Sequence, residues 1–205
     1  MTNKYSYLLC HGFCFTHDYW RNLVPLLGGN IAYFDENFVY DGRPYIGIGH
    51  SLGFQKLNNS NVKFDYLVGL QGFTNFCGTE SELHKTREDN INRMKKTFEA
   101  DAVGSLRMFY NACGYKGPIP SVDSENLIFE LQSMKNKYKC SHDCPILIIG
   151  SNDDEILPPE ILDDNFNHVS NAKIKKINGV SHLLGFKKPE YVAKEIFYWI
   201  ETLKY

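Results

Sequence analysis

Apolar residues fall into short continuous runs separated by polar, helix-patterned stretches. The runs Tyr5 to Cys10, Ile31 to Phe34, Tyr45 to Ile48, Tyr66 to Leu70, Pro145 to Gly150 and Ala172 to Ile177 read as strands. Pro145-Ile146-Leu147-Ile148-Ile149-Gly150 has no polar alternation, the pattern of a strand covered on both faces. Between the first two runs, Trp20, Leu23, Val24 and Leu27 recur at helical spacing. Asp18 is the expected cap and Gly28-Gly29 the stop. Val192, Ile196, Trp199 and Ile200 mark one face of a closing helix from Pro189 to Leu203.

Strands alternating with helices predict an α/β fold, with a mainly parallel central sheet flanked by helices. From Gly72 to Lys139 the strand signals stop. Ile91, Met94 and Phe98, then Leu106, Phe109 and Tyr110, then Leu127, Leu131 and Met134 mark successive helices. The block exceeds the needs of one crossover. We therefore expect one domain over 1–205, with a helical cap inserted at about 73–140 above the strand ends, where open α/β sheets bind ligands.

Composition narrows the class. The chain has 205 residues, 43% hydrophobic and 22% charged, with a formal charge of −2. That balance gives no electrostatic case for nucleic acid or an anionic membrane. No apolar run approaches the roughly 18 residues of a membrane span. The first residues lack a signal-peptide core, so the expected location is cytoplasmic. The six cysteines fit that location as free thiols. Cys140 and Cys144 flank a histidine but lack a second ligand pair, so no metal is expected, and no organic cofactor is implied.

The chemistry centres on Gly49-His50-Ser51-Leu52-Gly53, between a strand and a helix start. A Gly-x-Ser-x-Gly turn in that setting presents a serine nucleophile. A serine hydroxyl needs a base, a group orienting the base, and donors for the oxyanion. His182, in Gly179-Val180-Ser181-His182, is the candidate base. The acid lies in the loop Gly150-Ser151-Asn152-Asp153-Asp154. Counting from the strand end favours Asp153, and counting back from Pro158 favours Asp154; Asp153 is preferred and Asp154 is the alternative. The N–H groups of Leu52 and Phe13 are the expected oxyanion donors, with Gly12 permitting close approach. His11, Gly12, Phe73 and Phe109 are placed at the substrate, with Phe76, Phe98 and Tyr110 as further candidates for an acyl channel.

With these segments in chain order, together with Leu8-Leu9-Cys10-His11-Gly12-Phe13, the chain resembles the α/β-hydrolase fold superfamily over nearly its whole length. Within it, Thr97 to Gly114, a phenylalanine-led helix ending at glycine, resembles the cap of bacterial pimeloyl-acyl carrier protein methyl ester carboxylesterases. That resemblance implies hydrolysis of a carrier-bound methyl ester in biotin synthesis, with Ser51, Asp153 or Asp154, and His182 as the triad. A general short-chain esterase, an acyl thioesterase and a non-catalytic binding protein of the same fold are the alternatives. Arg87, Arg93, Lys95, Lys96 and Arg107 in the cap would face an acidic carrier protein, though acidic residues share the stretch. The segment from Asp35 to Pro44 is shorter than is usual in that family.

Overall fold

A computed structural model describes residues 5–120 and 123–204. Six strands form one sheet: β1 (Ser6–Cys10), β2 (Asn30–Tyr33), β3 (Tyr45–His50), β4 (Phe64–Leu70), β5 (Ile146–Ser151) and β6 (Ala172–Ile177). Their order is β2-β1-β3-β4-β5-β6, and every adjacent pair is parallel. β3 and β5 are buried at every residue, as strands with helices on both faces must be. The chain runs from β1 outward to β2, then returns to the other side of β1 as β3. That reversal opens a crevice at the carboxyl ends of β1 and β3.

The helices are α1 (Val24–Leu27), α2 (Leu52–Asn58), α3 (Ser81–Ala100), α4 (Ala102–Cys113), α5 (Ser124–Ser133), α6 (Pro159–Phe166), α7 (Leu184–Lys187) and α8 (Pro189–Thr202). The continuous helix expected after Asp18 is divided. A 3-10 turn spans His17–Trp20, and its cap is Thr16, whose hydroxyl accepts from Asp18 N–H at 3.4 Å. The divided segment still buries Trp20, Leu23 and Leu27, so the apolar spacing reported burial correctly while the helix itself is interrupted. Gly28 ends α1 with φ +65°, in the left-handed region that glycine tolerates best.

α3, α4 and α5 lie between β4 and β5, where helices were expected, and α3 packs against both others. Each has an acidic N-cap: Glu80, Asp101 and Asp123 accept backbone N–H bonds from the first turn. Among the described residues, no helix is long and apolar enough to cross a membrane.

The turn from β3 into α2 is closely packed against β1. A Cβ built on Gly53 would lie 2.0 Å from the Cys10 carbonyl oxygen, so the start of α2 rests directly on the end of β1. Relieving that overlap requires a backbone shift. Gly53→Ala is therefore expected to cost about 1–3 kcal/mol, lowering the thermal midpoint by roughly 2–4 °C for each kcal/mol. Circular-dichroism melting of the two proteins measures it.

Candidate active site

Each candidate residue leaves the carboxyl end of a different strand: Gly12 and Phe13 after β1, Ser51 after β3, Gln71 after β4, Asp154 after β5 and His182 after β6. The parallel sheet therefore delivers all of them to one edge. Ser51 has φ +53°, and the turn lifts its side chain from the strand. His182 Nε2 lies 2.9 Å from Ser51 Oγ, and His182 Nδ1 lies 2.7 Å from Asp154 Oδ2. With Nδ1–H donated to the carboxylate, Nε2 is free to accept the serine proton. All three side chains are buried.

The structure corrects the choice of acid. Asp153 does not meet His182. Its Oδ2 accepts the Gly179 N–H at 2.6 Å on the exposed side of the loop, tying the end of β5 to the turn that precedes His182. The chain bends after Ser151, so one more residue is needed before a side chain points inward. Asp154 then receives four donors. Ile156 and Leu157 N–H reach Oδ1 at 3.0 and 2.9 Å, and Gln71 Nε2–H reaches Oδ2 at 2.6 Å beside the histidine.

Gln71 escaped the sequence reading. It is fully buried with φ +51°, and its amide is saturated. Besides Asp154, Nε2 donates to Ser181 C=O at 2.8 Å, and Oε1 accepts from Leu184 N–H at 2.9 Å. One side chain thus holds the acid and both sides of the loop carrying His182. His50 grips the same loop: its Nε2–H donates to His182 C=O at 3.0 Å, and its ring stacks on Tyr19 at 4.1 Å. Burial, followed by the neighbouring His182, pushes the His50 pKa well down, so it is a neutral brace. Gln71 carried no sequence signal beyond a polar side chain after a buried strand, and His50 lies inside the Gly-x-Ser-x-Gly turn at a position that motif leaves open.

Of the two expected oxyanion donors, Leu52 directly follows Ser51 and Phe13 lines the same cavity as Ser51. Leu52 is the first residue of α2, where N–H groups have no partner within the helix. Neither its N–H nor that of Phe13 has a backbone acceptor among the described residues. A Cβ on Gly12 would lie 3.0 Å from Ser51 Cβ, which shows how closely the β1 loop approaches the serine. The Tyr110 hydroxyl donates to Cys14 C=O and anchors that loop to α4.

Ser51 opens into a cavity of about 190 Å³ whose walls include Phe13, Phe76, Met94, Phe109, Leu131 and Ile156. Phe109 is where the sequence placed it. Phe73 is not: it is fully buried beneath Phe76, ring centroids 5.1 Å apart, and Phe76 forms the wall. His11 also stands off the cavity, bonded through Nδ1–H to Gly12 C=O at 3.0 Å, and burial lowers its pKa. Phe98 and Tyr110 are core residues that touch Phe13 and Phe15 respectively. In the Cys140–Cys144 loop, His142 packs edge-on against Phe64, and burial raises both thiols to about 11.

Asp154→Asn should lower kcat by about 10³–10⁴-fold, because the amide stabilises the wrong histidine tautomer. Asp153→Asn should cost less than about tenfold, since it alters one exposed loop bond. Steady-state hydrolysis of p-nitrophenyl acetate by both variants separates them. Gln71→Glu retains the size and the Leu184 contact but sets a second carboxylate against Asp154. It should reduce kcat by at least about tenfold, measured in the same assay.

No protein-family model and no curated protein matches the chain. Solved structures do match. An esterase from Exiguobacterium antarcticum aligns with a TM-score of 0.77 at 12% identity, covering 98% of this chain and 93% of its own. A hydrolase from Oleispira antarctica gives 0.73 at 16% identity, covering 97% and 91%. A bromoperoxidase from Bacillus anthracis gives 0.72 at 14% identity, covering 96% and 92%. Coverage of nearly the whole of both chains, with the all-parallel sheet and the turn at Ser51, shows that this protein has the α/β-hydrolase fold.

Proposed function

We propose that this protein is a serine esterase that hydrolyses a carboxylic ester through an acyl-enzyme. The observation that carries the reading is the Ser51–His182–Asp154 chain of hydrogen bonds, 2.9 and 2.7 Å long, opening on a mostly apolar cavity. Ser51 Oγ attacks the ester carbonyl as His182 Nε2 takes its proton. Asp154 holds the imidazole and balances the imidazolium that forms. The N–H groups of Phe13 and Leu52 receive the oxyanion. His182 then protonates the departing alkoxide, and water, activated by the same nitrogen, releases the acid and restores Ser51.

The finer reading, the methyl ester of pimeloyl-acyl carrier protein, rests on the resemblance of the segment Thr97 to Gly114. Arg93, Lys96 and Arg107 are exposed on α3 and α4, which supports docking of an acidic carrier there. Lys95 is engaged by Glu99 at 3.5 Å, which weakens that surface. A short ester fits the modest cavity without any docking surface. Growth of a biotin auxotroph lacking its methyl esterase, when supplied with this gene, supports the carrier-bound substrate. Failure to grow despite esterase activity supports the short ester.

Ser51→Ala should lower hydrolysis of p-nitrophenyl butyrate by at least about 10³-fold and abolish labelling by a fluorophosphonate probe, with an unchanged circular-dichroism spectrum. Undiminished turnover in that variant would overturn the assignment.

A further inference from the structure

The cavity beside Ser51 is not uniformly apolar. Arg87, from the first half of α3, lies in its wall with 8% of its surface exposed. Nε–H donates to Phe76 C=O at 2.7 Å, and Nη2–H donates to Ile156 C=O at 2.8 Å. The guanidinium carbon sits 4.2 Å from the centre of the Phe76 ring. A guanidinium carries five N–H groups, and the remaining three have no acceptor among the described residues. No carboxylate forms an ion pair with it there. Glu155, on the same cavity, is solvent-exposed, so its charge is screened.

A buried cation without a counter-ion is costly. Two carbonyls and an aromatic face offset only part of that cost, and desolvation accordingly lowers the Arg87 pKa, opposed by Cys77 and Asp154. A carboxylate arriving in the cavity would complete the set, because the free N–H groups of the guanidinium can donate to two oxygens side by side. The two carbonyl bonds also fix the plane of the fork before any ligand arrives, so little ordering entropy is lost on binding.

From this geometry we infer that the preferred substrate is an ester bearing a free carboxylate a few carbons from the scissile bond, with Arg87 as the residue that recognises it. The inference rests on the esterase reading and specifies its substrate class. The carboxylate stays unreacted. Ser51 attacks the ester carbonyl, the alcohol leaves with the proton from His182, and water gives its hydroxyl to the acyl carbon while its other proton returns through His182 to Ser51. With monomethyl glutarate the products are glutarate and methanol.

The test compares charged esters with neutral partners of matched chain length in the unmodified protein. Monomethyl glutarate against methyl pentanoate places the carboxylate on the acyl side, and 3-acetoxypropanoate against propyl acetate places it on the alcohol side. At least one charged ester should exceed its partner in kcat/KM by about tenfold or more. In Arg87→Met that ratio should fall to about one, and in Arg87→Lys, which keeps the charge but not the fork, it should fall between the two. The ratio is taken within each protein, so a loss of overall activity does not disguise it. If Arg87→Met fails to fold, the Arg87→Lys ratio decides. Equal rates on charged and neutral esters, or a preference that survives in the variants, would overturn the inference and leave the esterase intact. No turnover of any of these esters would overturn both.

Discussion

A carboxylate enclosed by protein must have its oxygens occupied by donors, and Asp154 is the point where that demand organises the whole site. It is 3% exposed. Burying such an ion costs several kcal/mol after relaxation, so each missing donor would be felt. The four donors come from three places: the loop that carries Asp154 itself, Gln71 at the end of β4, and His182 after β6. Satisfying one carboxylate thus fixes the relative positions of three strand ends. The histidine orientation needed for chemistry follows from the same bonds that make the burial tolerable.

Backbone strain gathers at the same edge. The described non-glycine residues with positive φ are Cys14, Ser51 and Gln71, which follow β1, β3 and β4. Such conformations cost of order 1–3 kcal/mol each and persist only where the surroundings determine them. Here the surroundings are visible. Tyr110 holds Cys14, the contact of Gly53 with the end of β1 holds the Ser51 turn, and three hydrogen bonds hold Gln71. A rigid parallel sheet gives these strained residues a fixed floor, so Ser51, His182 and Asp154 hold their mutual geometry without any ligand.

The helices between β4 and β5 supply what the sheet cannot. Met94 and Leu131 give the cavity its apolar side, and Arg87 gives it charge. Arg87 also bonds to Ile156 C=O, two residues beyond Asp154, so α3 is tied to the acid loop. The proposed reaction and recognition sites consequently share a boundary: the segment that satisfies Asp154 Oδ1 through its N–H groups presents a carbonyl to the arginine on the cavity wall.

The layered fold and the strand–turn–helix around Ser51 were legible in the chain alone, because both are local signals. Continuous apolar runs report strands buried on two faces, and Gly-x-Ser-x-Gly reports a crowded turn within five residues. The late histidine was legible for a similar reason, lying in a short loop between a strand and the last helix. The acid was not, since Asp153 and Asp154 are chemically identical and adjacent, and only the bend after Ser151 decides which one points inward. Phe73 and Phe76 posed the same problem of direction. Gln71 and Arg87 were harder still: Gln71 is a polar residue without a motif, Arg87 was expected on a carrier-facing surface but is buried on the cavity wall, and each meets partners up to 113 positions away. Tertiary structure decided those roles because burial, which turns an ordinary amide or guanidinium into a group that must be satisfied, is a property of the assembled chain.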